Sequence, residues 1–119
     1  MISGIGTDIV EVRRIADAME NQHFCKRFFS DRENEYFAEK KYNPETVAGN
    51  FAAKEAFSKA LGTGISGFNL KDVEVLRNEN GMPYIEVSAE LKARLNGSGV
   101  LVSIAHEKEY AVAYVVIEG

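Results

Sequence analysis

The stretch PETVAGNFAAKEAFSKALGTGISG, residues 44–67, contains the longest helical signal in the chain and decides its fold. Asn43 can cap the first free backbone amides, and Pro44 tolerates the first helical position because its missing N–H needs no partner there. Gly62 is typical of a helix that ends in a left-handed residue. The pattern predicts a helix over residues 44–61, roughly 27 Å long at 1.5 Å per residue.

The predicted helix has no clean polar side, and a helix that is apolar nearly all round is usually buried. Two of its charged residues, Glu55 and Lys59, are four positions apart and share a face with Ala48 and Ala52. A carboxylate and an amine among small side chains indicate a surface that another group approaches closely. The alternative is an ordinary exposed ion pair, worth about 0.3 kcal/mol.

Length and composition limit the class of protein. A chain of 119 residues, 45% of them hydrophobic and 27% charged, predicts one globular domain over residues 1–119. No apolar run reaches the roughly 20 residues that span a membrane. A net charge of −4 argues against nucleic acid as the main partner. The single cysteine, Cys25, excludes an internal disulfide, and with an N-terminal stretch unlike a signal peptide it predicts a cytoplasmic protein.

The hydrophobic periodicity changes from helical to alternating along the chain and predicts an α+β fold. A long buried central helix lies within a helical segment after an N-terminal strand, and an antiparallel sheet with one short helix follows. The predicted strands are 2–12, 73–76, 84–87, 100–105 and 110–117, and the other predicted helices are 13–20, 24–29, 31–40 and 89–95. Asn80-Gly81 favours a hairpin turn. Few charges in the last two strands predict that both faces of their sheet are covered.

Asp8 interrupts the apolar run ISGIGTDIVEV of the first strand. An acid in such a place is paired, bound to a cation, or capping the helix that follows. Gly4 and Gly6 in the same strand would let backbone or ligand come close. The glycine-rich residues 62–67, GTGISG, could cradle a phosphate with backbone N–H groups, although a helix end followed by a turn explains them equally well.

Three segments, GIGTDIVEVRRI, AGNFAAKEAFSKALGTGI and VSIAHEKEYAVAYVVIE, resemble the holo-[acyl-carrier-protein] synthases. These enzymes are the small, trimeric class of 4′-phosphopantetheinyl transferases, and the resemblance covers nearly the whole chain in order. It implies transfer of 4′-phosphopantetheine from coenzyme A to a serine of apo acyl carrier protein, in fatty acid biosynthesis. The other product would be adenosine 3′,5′-bisphosphate, and the cofactor would be Mg²⁺. The assembly would be a homotrimer with sites at subunit interfaces.

The resemblance also implies roles for residues that stand out on their own. Asp8 and Glu55 match the two carboxylates that hold the metal, and Lys59 matches a lysine at the phosphate under attack. These three are the predicted catalytic residues. The serine proton would go to Glu55 or to a water on the metal, and the sequence leaves both open.

Substrate contacts follow from the same resemblance. His106 would reach the phosphates of coenzyme A bound at a neighbouring subunit. The alternative is that His106 is an ordinary surface histidine. The predicted coenzyme A contacts are Lys41, Lys59, Gly62, Gly64 and His106. The predicted contacts to the acidic carrier protein are Arg13, Arg14 and Arg27.

Two departures from the family pattern matter. Many relatives carry arginine where this chain has Asn50. This difference predicts that coenzyme A binds more weakly, or that Lys41 and Lys54 bind it in place of the arginine. Asn50→Arg would then lower the Michaelis constant for coenzyme A. Relatives often read Ser-His-Thr where this chain has Ala105 and Glu107 on either side of the histidine.

Two other classes of function stay open. A non-catalytic module that binds coenzyme A or a nucleotide would keep the glycine-rich residues but would not need both Asp8 and Glu55. A trimeric scaffold would need neither, and the two acids would then be a helix cap and a surface pair.

Overall fold

The structure is a computed structural model that describes residues 1–62 and 68–119, and it confirms the α+β class. In chain order the elements are β1 (Ile2–Glu11), α1 (Val12–Ala18), α2 (Phe24–Phe28), α3 (Asp31–Glu39), α4 (Pro44–Leu61), a short 3₁₀ turn (Leu70–Asp72), β2 (Val73–Arg77), β3 (Pro83–Val87), α5 (Ala89–Leu95), β4 (Gly99–His106) and β5 (Tyr110–Glu118). Every predicted element is present, with ends that differ by at most two residues. None of the described helices is both long and apolar enough to cross a membrane.

The central helix α4 begins and ends where its capping residues predict. The side-chain oxygen of Asn43 accepts a hydrogen bond of 2.9 Å from the amide of Glu45. Gly62 closes the helix with a φ of 84°, which favours glycine. Much of the helix is fully buried, including Val47 and Phe57, so the prediction of a buried central helix is confirmed.

The main sheet has the strand order β1-β5-β4, and both pairings are antiparallel. The central strand β5 is therefore flanked by the first strand of the chain and by β4. Helix α4 packs across one face of this sheet, and apolar side chains of the two elements form the core. The core includes Ala52, Ala53, Ala56, Phe57, Ala113, Val115 and Ile117.

Strand β1 lies directly on the backbone of α4, and two glycines make this possible. A Cβ added at Gly6 would overlap the carbonyl oxygen of Ala56 and come within 2.7 Å of the Ala60 amide nitrogen. A Cβ at Gly4 would overlap the carbonyl oxygen of Ala60. The predicted close approach at both glycines is confirmed, and it brings Asp8 beside the C-terminal half of α4.

The second sheet is the hairpin β2–β3, which joins the main core through α5 and β4. Its turn contains Asn80 and Gly81, and Gly81 has a positive φ of 82°, which favours glycine. Ser88 caps α5 by accepting a hydrogen bond from the amide of Leu91. Local capping and turn residues thus account for the whole segment.

Helices α1, α2 and α3 form a layer against the first half of α4. Ser30 and Glu33 make both hydrogen bonds of a capping box at the start of α3, as the S/T-x-x-E pattern indicates. Beneath them Phe29 and Phe37 pack edge to face, with ring centroids 4.9 Å apart. The layer covers the side of α4 that the sheet leaves open.

The prediction that both faces of the main sheet are covered is wrong for the single chain. The face turned away from α4 exposes apolar side chains from all three strands. They are Ile5 (67% exposed), Ile9 (64%), Leu101 (57%) and Tyr114 (56%). A lack of charge indicates that a face will be covered, but it does not indicate whether the same chain or another molecule covers it.

Candidate functional site

Asp8 and Lys59 form an ion pair where β1 passes the end of α4. The Lys59 Nζ atom lies 3.2 Å from Asp8 Oδ1 and donates a second hydrogen bond of 3.0 Å to the carbonyl of Thr7. The Asp8 side chain is largely buried, at 16% exposure, whereas Lys59 is 54% exposed. The alternative that Asp8 caps the next helix is wrong, because the residue at the N-cap of α1 is Glu11.

Glu55 completes the group from one turn earlier on α4. Burial raises the pKa of its carboxyl, the negative charge of Asp8 raises this pKa further, and the ammonium of Lys59 opposes both effects. Two carboxylates and one ammonium therefore lie close together in partly buried surroundings. The group has an excess of negative charge that a cation would relieve.

Asp8 and Glu55 line an open cleft of about 430 Å³ between β1, α1, α2 and α4, and Lys59 adjoins it through its ion pair with Asp8. Its polar lining comes from Asp8, Glu11, Arg14 and Glu55, and Phe24 and Phe51 supply much of its apolar wall. The sequence interpretation missed both aromatic residues. For Phe51 a signal was present, because it precedes Glu55 by four residues and so shares its face of the helix.

The carboxylate pair fits a magnesium ion. Within residues 1–62 and 68–119 no group of three or more potential metal-ligating side chains occurs. Magnesium is usually held by only one or two carboxylates, with waters and substrate phosphates completing its shell. Asp8 and Glu55 would supply those two carboxylates.

Lys41 and His106 lie at the opposite end of α4. The Nδ1 atom of His106 is 3.0 Å from a carboxylate oxygen of Glu45 in the first turn of the helix. Lys41 is exposed and precedes the helix by three residues. At 1.5 Å per residue the rise from Glu45 is about 15 Å to Glu55 and about 21 Å to Lys59, so one chain does not bring Lys41 and His106 to Asp8 and Glu55.

Gly62 and Gly64 are the two glycines predicted to contact the substrate. Gly62 is exposed at the end of α4, and a Cβ added there would meet nothing within 4 Å. A ligand could therefore approach its backbone freely. Gly64 lies outside the described residues.

The three arginines predicted to meet the carrier protein are all exposed on the helical layer. Arg14 borders the cleft, and the next residue, Ile15, is buried. Arg13 leaves α1 on the side of the β4–β5 turn, where it lines a separate pocket. The guanidinium of Arg27 lies 5.3 Å from the ring centroid of Phe28 on α2.

The prediction that Lys54, or an arginine restored at position 50, would contact coenzyme A is wrong for this fold, because the side chains of Asn50 and Lys54 are fully buried. Asn50 donates to the carbonyl of Val75 (3.0 Å) and to Glu33 (3.2 Å), and its oxygen accepts from Arg77 (3.0 Å). An arginine at position 50 would bury an additional cation here. Asn50→Arg should therefore destabilise the protein rather than improve coenzyme A binding.

A carboxylate pair beside a lysine, on a cleft bounded by the longest helix, defines a site suited to group transfer at a phosphate. The model of the 4′-phosphopantetheinyl transferase superfamily matches residues 4–115 of the chain. The chain belongs to this family.

Individual members of the family match this chain over nearly its full length. A holo-[acyl-carrier-protein] synthase of Clostridium botulinum (strain Alaska E43 / Type E3) is 51% identical over 121 residues, covering 99% of this chain and 98% of the relative. The crystal structure of the Bacillus anthracis synthase in complex with CoA (3′,5′-ADP) superposes with a TM-score of 0.85 at 40% identity, covering 99% of this chain and 97% of that one. The Neisseria meningitidis synthase superposes with a TM-score of 0.92 at 34% identity and full coverage of both chains.

Proposed function

We propose that the chain is a holo-[acyl-carrier-protein] synthase, which transfers 4′-phosphopantetheine from coenzyme A to a serine of apo acyl carrier protein. The observation that carries this proposal is the grouping of Asp8, Glu55 and Lys59 beside an open cleft. The serine oxygen attacks the phosphorus that bears the pantetheine, and the bond to the leaving adenosine 3′,5′-bisphosphate breaks. In the cytoplasm this reaction prepares the carrier for fatty acid biosynthesis.

Each residue of the group has a distinct task. The ammonium of Lys59 stabilises negative charge on the phosphate under attack, and its bonds to Asp8 and Thr7 hold it in place. Glu55, or a water held by the metal, accepts the serine proton. When bound at Asp8 and Glu55, magnesium supplies further neutralisation of the pyrophosphate charge.

The coenzyme A site is built from two subunits. His106 of one chain reaches the phosphates of coenzyme A, with Lys41 as a further contact. The neighbour supplies Lys59 at the phosphate under attack and Gly62 and Gly64 near the phosphopantetheine. The separation of about 21 Å between the two ends of α4 supports this division. A homotrimer closes such a site three times by symmetry.

The exposed apolar face of the main sheet is the surface on which the trimer would form. Tyr114 lies on the central strand β5 of this face, opposite Thr7 and Ser103 of the flanking strands. Tyr114→Glu should therefore shift the trimer towards monomer and reduce transfer in parallel, because a carboxylate would be buried at the interface. Light scattering at micromolar concentration measures the first effect.

Met82→Glu is the matched control for the trimer. Met82 is 63% exposed, but it lies in the turn of the β2–β3 hairpin. The same charge there should leave the oligomeric state unchanged. A wild-type chain that is a stable monomer with full activity would contradict the trimer.

The arginines of the helical layer would bind the acidic carrier protein, with Arg14 closest to the chemistry. Arg14→Glu should raise the Michaelis constant for the carrier by on the order of tenfold, because one charge-assisted contact becomes a repulsion. The salt dependence of this constant should flatten, since ions screen the attraction between opposite charges. The constant for coenzyme A should stay unchanged.

Lys92→Glu makes the same change of charge on α5, which contributes no residue to the cleft. It should leave the constant for the carrier protein close to that of the wild type. A defect of Arg14→Glu that appears mainly in the constant for coenzyme A would instead place Arg14 at the nucleotide.

One assay separates the proposed enzyme from the other two classes of function. The purified protein is incubated with coenzyme A, magnesium and apo acyl carrier protein, and the mass of the carrier is measured. Transfer adds one phosphopantetheine to the carrier. A non-catalytic module would bind coenzyme A without a gain in carrier mass, and a scaffold would do neither.

A further inference from the structure

Lys54 and Glu33 form an ion pair in the interior of the protein. Their charged atoms are 2.6 Å apart, and both side chains are fully buried. Removing two charges from water is costly, and a buried ion pair is often no more stable than an apolar pair of similar volume. The presence of this pair therefore points to a task other than stability.

The ammonium of Lys54 joins elements that are distant in sequence. Besides Glu33 on α3, it donates to the carbonyl of Phe28 at 3.1 Å and to the carbonyl of Leu70 at 2.8 Å. It also lies 4.9 Å from the ring centroid of Phe29. One side chain of α4 thus holds the last residue of α2, the start of α3 and the turn before β2.

The carboxylate of Glu33 completes a buried network of hydrogen bonds around Lys54. One oxygen accepts from the amide of Ser30 at 3.1 Å. The other accepts from the amide of Val75 and from Asn50, both at 3.2 Å. Throughout the described part of the chain every buried side-chain nitrogen or oxygen has a partner, so the hydrogen bonds of this network are fully satisfied.

This network lies directly behind the cleft. Lys54 precedes Glu55 by one residue, so the two side chains leave α4 about 100° apart. The side chain of Lys54 therefore faces the interior, while that of Glu55 faces the cleft. Phe28, which Lys54 holds by its carbonyl, ends the same short helix α2 that places Phe24 in the cleft wall. Phe24 meets Phe51 of α4 there, with ring centroids 6.4 Å apart.

We propose that Lys54, together with Glu33, is a positioning residue that fixes the α2 wall of the cleft relative to Glu55. The inference rests on the proposed function, because the cleft then receives the serine of the carrier protein. Neither side chain touches a substrate. Loss of the ammonium frees the carbonyl of Phe28, so α2 shifts against α4 and the serine is presented less accurately to Glu55.

The test is the double variant Glu33→Gln/Lys54→Met, compared with each single variant. A single variant leaves one buried charge without its partner and should lower the melting temperature strongly. The double variant removes both charges and should recover most of that loss. It should still show a kcat reduced by on the order of tenfold, because small displacements at a reacting centre have large effects on rate. The Michaelis constant for the carrier should rise, and that for coenzyme A should stay at the wild-type value.

Arg32→Met is the matched control, since it removes a cation of α3 that bridges Glu74 and Glu86 on the hairpin. It should leave all kinetic constants unchanged, and an equal defect in this variant would overturn the assignment. Wild-type constants per folded molecule in the double variant would show that the pair is structural only. An equal rise in both Michaelis constants would indicate general loosening and would also refute positioning. A wild-type protein that transfers nothing would remove the proposed function, and this inference with it.

Discussion

Asp8→Ala and Glu55→Gln are each expected to abolish transfer, by about a thousandfold or more, at saturating magnesium. Asp8→Ala removes one carboxylate and also leaves the ammonium of Lys59 without its partner at 3.2 Å. Glu55→Gln keeps the shape of the side chain but can neither accept a proton nor contribute charge to a cation. The measurement is the rate at which the carrier gains the mass of phosphopantetheine.

The fold should survive both substitutions, which thermal unfolding can verify. Asp17→Asn, on the exposed side of α1, removes a carboxylate that does not line the cleft and serves as the matched control. Near-normal activity of both site variants would show that the metal assignment is wrong.

A titration without metal tests the same geometry independently of activity. The negative charge of Asp8 is the second cause, after burial, of the raised pKa of Glu55. Asp8→Ala should therefore lower the pKa of the Glu55 carboxyl, as measured by NMR of the carboxyl carbon in metal-free protein. An unchanged pKa would mean that the two carboxylates do not face each other.

Local signals explain why so much of the fold could be predicted from the sequence. Asn43, Pro44 and Gly62 determine the limits of α4 through their own side chains and backbone preferences, without help from distant residues. The hairpin turn at Asn80 and the cap at Ser88 are equally local. Such features depend on a few neighbouring residues, which a single sequence displays.

The candidate site was harder to predict because its parts come from separate elements. Lys54 and Lys59 occupy similar apolar surroundings in the sequence, yet the first is buried and the second is exposed. The difference depends on how α4 is rotated against α3, where Glu33 supplies the partner of Lys54. The sequence shows Glu33 as part of a capping box, and only the folded chain shows its second role.

The exposed sheet face illustrates a different limit. Apolar residues at alternate positions of β4 and β5 predict burial, and they do so equally well for a helix of the same chain or for another subunit. The resemblance to a trimeric family, rather than the pattern itself, favours another subunit. The structure shows that Leu101 and Tyr114 on this face are exposed in the single chain.

Gly6→Ala should cause a large loss of stability. The new Cβ would overlap the carbonyl oxygen of Ala56 and lie 2.7 Å from the amide nitrogen of Ala60. These are backbone atoms of a hydrogen-bonded helix, so they cannot move aside as a side chain would. We expect a loss of about 3 kcal/mol in the free energy of unfolding, measured by urea denaturation.

The substitution should also lower transfer in the protein that remains folded. Gly6 is two residues before Asp8, so moving β1 away from α4 lengthens the contact between Asp8 and Lys59. Gly99→Ala is the matched control in the same sheet, because its Cβ would meet its nearest neighbour, the carbonyl oxygen of Glu118, at an ordinary 3.8 Å. That variant should stay within about 0.5 kcal/mol of the wild type. If Gly6→Ala unfolds at the same urea concentration as Gly99→Ala, then β1 does not lie on the backbone of α4, and the close approach that places Asp8 beside Lys59 is wrong.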